Sequence, residues 1–591
     1  MILKSLDWMI IAAFFLLYLI IGVVVSRRAG KNAAEFFLSG RNMPWWLLGV
    51  SMVATTFSTD TPNLVADIVR QNGIAGNWVW WAFLLTGMLT VFVYARLWRR
   101  SGVLTDLEFY EIRYGGNAAA FLRGFRALYL GVLFNIMVMA AVSLAMIKIG
   151  GVMLGLNPLH TLVIASTVTV LYSTMGGLRG ILITDLVQFA VAMIGSIGAA
   201  WFLLDLPQIG GLSQLLNHPD VASRLDFIPD FNNKDLLVTV FILPIAVQWW
   251  SVWYPGSEPG GGGYLVQRML SAKNESHAVG ATLFFNIAHY AMRPWPWIIV
   301  ALCSLVIFPD LQALKQMFPH LSAQVLGHDL AYPAMLTFLP SGFLGLVVAS
   351  LIAAFMSTIS THLNWGASYI AYDFYKRFIN PAANEKKLVT VGRLSTVGLM
   401  ILTIIFALLL SNALQAFHIL LQIGAGTGLL FILRWFWWRI NPYSEITAMA
   451  VSFVIALYLE IFHTMLGFTP LSSTFKLLFG VGVTTIAWLG ITLITKPCET
   501  VTLQKFIDMI NPGGPGWKNA PVKQIAAGTW SVPHGLLCML FGSISVYSAL
   551  FGTGYILYDK LIPATSLWFL AILSSYALYL VWQRRYGNQV Q

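Results

Sequence analysis

GFLGLVVASLIAAFMSTISTHLNWGASYIAYDFY, residues 342–375, is long and apolar enough to cross a bilayer as one helix. Its middle nevertheless carries Ser357, Thr358, Ser360, Thr361, His362 and Asn364. At about 100° per residue, Ala354, Ser357 and Thr361 share one face, with Thr358 beside it and Ser360 at the i, i+3 spacing from Ser357. Two readings fit such a cluster. The hydroxyls can bond back to their own helix carbonyls or let a neighbouring helix approach closely. Alternatively, oxygen atoms gathered at mid-membrane depth form part of a cage for a small hard cation. The rest of the chain bears on the choice.

Of 591 residues, 58% are hydrophobic and only 10% charged, and the mean hydropathy is +0.74. Soluble domains carry about 25% charged residues, so the chain reads as an all-α polytopic membrane protein. Apolar runs of roughly 20 residues recur and give about 15 spans between residues 6–26 and 563–584. The first, Leu6 to Ser26 followed by Arg27 and Arg28, is too long for a signal-peptide core and lacks a small-residue cleavage site, so it reads as a retained span. The net charge of +11 resides mostly in RRAGK, RLWRR, RGFR, YKRF, EKK and the final WQRRY. These clusters fall on alternate connections. The positive-inside rule then sets the N-terminus outside and the C-terminus in the cytoplasm of a multi-pass cell (inner or plasma) membrane protein. Read as topology signals, they require no nucleic-acid partner. Cys303, Cys498 and Cys538 show no CxxC spacing and imply neither a disulfide framework nor a zinc site.

Two spans make poor helices in corresponding places. The one at 44–70 contains GVSMVATTFSTDTPNLVADIVR, dense in Ser and Thr, with Pro62 and the acids Asp60 and Asp67. Proline removes a backbone donor, and nearby hydroxyls can satisfy the carbonyls that a break would free. The one at 235–254 contains FILPIAVQWWSVWYPG, with Pro244 inside and Pro255 at its end. Interrupted helices at matching places in two halves point to a transporter built from inverted repeats. No GxxxxGK[ST] is present to drive an ATP pump, and no HExxH or GxSxG marks a membrane-embedded enzyme. Gly424-Ala-Gly426-Thr-Gly428 lies within a span and follows no strand, so close helix packing explains it better than nucleotide binding.

FFLSGRNMPWWLLGVSMVATTFS, YSTMGGLRGILITDLVQ, YLVQRMLSAKN and LIAAFMSTISTHLN…YDFYKR, between about Asp7 and Arg439, together resemble the sodium:solute symporter family. The resemblance implies a LeuT-type core of two inverted five-helix repeats, at 44–205 and 206–440. Residues 1–43 and 441–591 would then be peripheral. It further implies a carrier that couples inward sodium flow to uptake of a small polar organic solute, a sugar, organic anion or amino acid, by alternating access. No cofactor besides sodium is expected; the partners are the solute, sodium ions and the lipid bilayer, and the functional unit is a monomer. A proton-coupled carrier or a transporter-like sensor on the same core is the alternative.

Carried over by position, the principal sodium site uses backbone oxygens of Ala54, Phe57 and Ala354 with the hydroxyls of Ser357 and Thr358. A second sodium site, present in some members, falls on Asp185, Ser357, Ser360 and Thr361; otherwise Asp185 pairs with a base such as Arg179 or Arg393. The solute pocket falls on Asp60, Gln248, Trp249, Trp250, Arg293 and Gln422. An Arg as deep as Arg293 must be paired or meet a ligand, and Asp60 and Asp67 are its candidate partners. Trp253 and Tyr254 read rather as interface aromatics. PGSEPGGGG, after the span at 235–254, looks inserted and reads as a flexible cytoplasmic segment.

Overall fold

Helices make up every long element, as they must where no water reaches the backbone. The computed structural model describes residues 3–29, 32–252, 258–319, 326–410, 413–523 and 531–586. Ser5–Ala29 is α1, Trp45–Thr56 α2, Asp60–Asn72 α3, Ile74–Ser101 α4, Gly116–Leu154 α5, and Pro158–Leu204 α6. Lys234–Ser251 is α7, Gly263–Ser271 α8, Glu275–Ile307 α9, Phe343–Ile379 α10, and Glu385–Leu409 α11. Ala413–Gly424 and Gly428–Leu433 form α12 and α13, followed by Pro442–Met465 (α14), Ser473–Ile494 (α15), Val532–Leu557 (α16) and Leu561–Tyr586 (α17). The fold is of the LeuT type.

Among the described residues, 12 helices are long and apolar enough to cross a membrane. The difference from the expected spans lies in three places. α6 is one continuous element bent at Gly177, whose φ of 53° turns the chain. α2 with α3, and α12 with α13, are each interrupted, so no single piece has the length to span.

α10 is the axis of the molecule. Its most apolar window is 89% buried inside the protein, against 17% for α17. Its start, Gly342, supplies no side-chain cap. Asp7 of α1 does so instead, accepting from Gly342 N at 2.6 Å and Gly345 N at 2.8 Å. A carboxylate there satisfies orphan N–H groups and suits the positive end of the helix. Gly345 permits this approach, because a Cβ would lie 2.5 Å from Asp7 Cα.

Two sequence readings need correction. The described part of the glycine-rich segment, residues 258–262, is buried and leads into α8. Packed in this way, these residues are not the flexible stretch their composition suggests; Pro255, Gly256 and Ser257 lie outside the described residues. Gly260 and Gly261 have φ of 80° and 82°, a region that favours glycine, and Gly260 O accepts from Trp98 Nε1 at 2.7 Å. The basic clusters also do more than set topology. Arg123 bonds Asp373 at 2.7 Å and Glu111 at 2.6 Å, and Arg126 bonds Glu445 at 3.1 Å, all at one end of the bundle. Buried guanidiniums need such partners because desolvation is costly.

Gly424–Gly428 behaves as the packing reading expects. Gly426 N donates to Ser251 O at 2.9 Å, and a Cβ on Gly428 would lie 2.5 Å from Trp250 O.

Candidate functional site

The helical run of α2 stops at Thr56, and Phe57 (φ −91°, ψ 81°) leaves helical geometry. That stop frees carbonyls in the middle of a membrane protein, and hydroxyls take them up. Thr358 Oγ1 of α10 donates to Thr55 O at 2.8 Å, and Thr61 Oγ1 donates to Thr56 O at 3.1 Å. Pro62 stands in the first turn of α3, where its missing N–H costs nothing. Ala54, Phe57, Ala354, Ser357 and Thr358 are all buried around this junction. The carbonyl that Thr358 reaches in this conformation is that of Thr55, next in the chain to Ala54.

Next to Thr358 on α10, Ser357 Oγ donates to Asp185 Oδ1, and Ser51 Oγ donates to Asp185 Oδ2, both at 2.5 Å. Arg268, from α8, donates to Thr361 Oγ1 at 2.8 Å and to Ser51 Oγ at 3.3 Å. Ser360 donates to its own helix at Ser357 O, 3.0 Å away. Of the four expected residues, Ser357 meets Asp185 directly, Thr361 is reached through Arg268, and Ser360 turns to its own helix; Arg268 and Ser51 join them. The basic group facing Asp185 is Arg268, linked through Ser51, whereas Arg393 donates to Thr174 O at 3.0 Å. Arg268 and Ser51 were missed. Both stand in motifs that carried the family resemblance, and neither spacing pointed towards Asp185.

Beside this oxygen cluster is a cavity of about 110 Å³, walled by the α2–α3 junction and by α4, α5, α8, α9 and α10. Asp60 and Arg293 both line it. Arg293 is 1% exposed, and it donates to His289 Nδ1 at 2.5 Å, Thr56 Oγ1 at 3.2 Å and Val53 O at 3.4 Å. Its guanidinium also lies 5.2 Å from the Trp297 ring centre. Arg293 forms no ion pair with a described carboxylate, and Asp60 Oδ1 is buried without a hydrogen-bond partner. Asp67 instead accepts from Gln71 at 2.7 Å. Trp80 stacks on Tyr290 at 5.8 Å, giving the cavity an aromatic wall. His289, Tyr264 and Trp80 escaped the sequence reading. For His289 the i, i+4 spacing to Arg293 was the available signal.

Four expected solute residues lie elsewhere. Gln248 and Gln422 line a separate cavity. Trp249 accepts on its backbone oxygen from Thr86, and Trp250 Nε1 donates to Ala246 O at 2.8 Å. Neither Trp lines the Arg293 cavity. Trp253 and Tyr254 lie outside the described residues. Among the described residues no group of three or more His, Cys, Asp or Glu is arranged to hold a metal.

The sodium:solute symporter family model matches residues 36–452. The "Sodium/glucose cotransporter" of Vibrio parahaemolyticus is 26% identical over 492 residues, covering 80% of this chain and 87% of that protein. The mouse "Sodium/myo-inositol cotransporter" is 26% identical over 497 residues, covering 77% and 66%. A solved structure of a Na+-coupled sialic acid symporter in a substrate-bound outward-open state superposes with a TM-score of 0.65 at 20% identity, covering 84% of this chain and 99% of that one.

Proposed function

Because the chain belongs to the sodium:solute symporter family, a family of transporters and not of enzymes, we propose that it couples inward sodium flow to uptake of a small, polar, uncharged solute of the sugar or polyol class by alternating access. The single observation that carries this reading is shared membership. Thr55 and Thr358 belong to the oxygen cluster at the α2 break, and both also line the cavity that holds Asp60 and Arg293. An ion drawing those oxygens together would reshape the solute wall in the same movement. Sodium would be held by Ala54, Phe57 and Ala354 carbonyls with Ser357 and Thr358 hydroxyls, neutral oxygens suited to a hard cation.

Asp60 accepts and Arg293 donates, so a solute bearing neighbouring hydroxyls can satisfy both at once. With one side chain of each sign, the cavity balances without a net charge on the solute. The carriers of glucose and myo-inositol among the relatives support this class. The five-helix repeats at 44–205 and 206–440 would supply the alternating movement, with the N-terminus outside and the C-terminus inside. Asp185 has a resident counter-charge in Arg268, which supports one coupling sodium rather than two.

Proteoliposomes containing the protein test the reading with D-glucose, myo-inositol, L-proline and sialic acid. Uptake of a neutral sugar or polyol that disappears when potassium replaces sodium is expected. Uptake driven by an imposed pH gradient without sodium would overturn it.

A further inference from the structure

We infer that residues 499–520 form a strap that clamps the arginine-rich end of the molecule shut beneath α8 and must let go for that end to open. The inference rests on the transport reading above and goes beyond it by naming the part that gates release. The strap lies between α15 and α16, outside both proposed repeats. Helix Thr500–Ile510 buries Leu503, Phe506, Ile507 and Ile510. Gly513 and Gly514, at φ of 66° and 106°, then turn the chain towards Trp517, whose ring stacks on Phe506 at 5.7 Å.

Its grip falls on both repeats. From residues 44–205, Arg100 Nη1 donates to Ile510 O at 3.0 Å. The Arg113 guanidinium lies 5.2 Å from the Phe506 ring centre and 5.1 Å from that of Trp517, held by the ring faces. From residues 206–440, Trp435 O accepts from Trp517 Nε1 at 3.0 Å, and Trp438 N donates to Gly516 O at 3.2 Å. The approach is close, since a Cβ on Gly516 would lie 2.1 Å from Phe436 O. Any movement that parts the repeats at this end pulls the strap off at least one of them. The strap's rings also reach the glycines ahead of α8 without a gap. Phe506 packs on Phe109 at 5.8 Å, Phe109 on Trp435 at 4.4 Å, and Trp435 on Trp98 at 4.8 Å. Trp98 is the donor to Gly260 O. Just beyond, α8 carries Tyr264 to the central cavity and Arg268 to Ser51. Packed rings switch between arrangements and do not stretch, so α8 can leave only after the strap has freed them.

Hydrogen–deuterium exchange of the full chain in lipid nanodiscs, in sodium and in potassium, tests the strap. In the wild type, peptides covering 258–271 and 499–520 should both exchange faster in potassium than in sodium, because they open together. Trp517→Ala should raise exchange at 258–271 in sodium about tenfold, the combined worth of one hydrogen bond and one ring pair, and so erase the ion dependence there. Gly516→Val, which lifts the strap off Phe436 O without removing a polar side chain, should do the same. Peptides from α1 and α6, which none of these contacts involves, should exchange as in the wild type. Equal wild-type exchange at 258–271 in the two ions, unchanged exchange there in both variants, or a rise that spreads to α1 and α6 would overturn the inference. If 258–271 ignores both variants while sodium still drives uptake into proteoliposomes, the transport reading stands and the strap falls. If sodium drives no uptake, both fall.

Discussion

The breaks between α2 and α3 and between α7 and α8 do the same job with opposite chemistry. The first contains no glycine. Its backbone stays within ordinary angles, and its freed carbonyls are taken by Thr358 and Thr61 hydroxyls. The described part of the second holds Gly260, Gly261 and Gly263 at positive φ, wedged among aromatic rings, with Gly263 N held by Asp106 Oδ2 at 3.0 Å. A break built from hydroxyls keeps exchangeable oxygens in the membrane, where an ion can use them. One built from glycines offers shape instead, bringing α8 close enough for Arg268 to reach Ser51 of α2 and Thr361 of α10. The two breaks are thereby tied to each other around α10.

Removing that tie should have the largest effect on stability. Arg268→Gln leaves Asp185 buried without its counter-charge and should cost about 3–5 kcal/mol. Thermal unfolding in detergent measures it, and Asp185→Asn in the same chain should restore much of the loss. Wild-type stability in Arg268→Gln would separate the two breaks. Next comes Gly263→Val. At φ 56° and with a Cβ only 3.1 Å from the Trp365 ring, this change should cost about 3 kcal/mol. A melting temperature equal to wild type would show that the glycine break tolerates side chains.

The hydroxyl break should respond more mildly and in function before stability. Thr358→Ala removes an oxygen and leaves Thr55 O without its donor, which should raise the sodium concentration for half-maximal uptake about tenfold. Ser58→Ala should be smallest, within about 0.5 kcal/mol of wild type in thermal unfolding, because the Ser58 hydroxyl takes up none of the freed carbonyls. A larger loss would mean that every hydroxyl at the break supports it.

The same contrast explains what could be read from the sequence. TTFSTDTP announces its break, since hydroxyls and proline at mid-span have few other uses, and the α10 cluster follows from helical spacing alone. Glycines announce nothing comparable. A run of them reads as flexible until Trp98, Tyr94 and Trp365 are seen around it, contacts between residues far apart in the chain. Because the packing of the glycines ahead of α8 was hidden, Arg268 was missed, and Gln248 was placed beside Arg293 although it faces a different cavity. Arg293 and Asp60 were readable because a charge at that depth demands a reason.

Binding of radioactive sodium ions to the purified protein, measured side by side in Thr358→Ala and Arg293→Ala, tests most directly whether the α2 break is the ion site. Arg293→Ala should lose solute uptake and still bind sodium, whereas Thr358→Ala should lose sodium affinity and, with it, sodium-stimulated solute binding. Wild-type sodium binding in a well-folded Thr358→Ala protein would contradict the account.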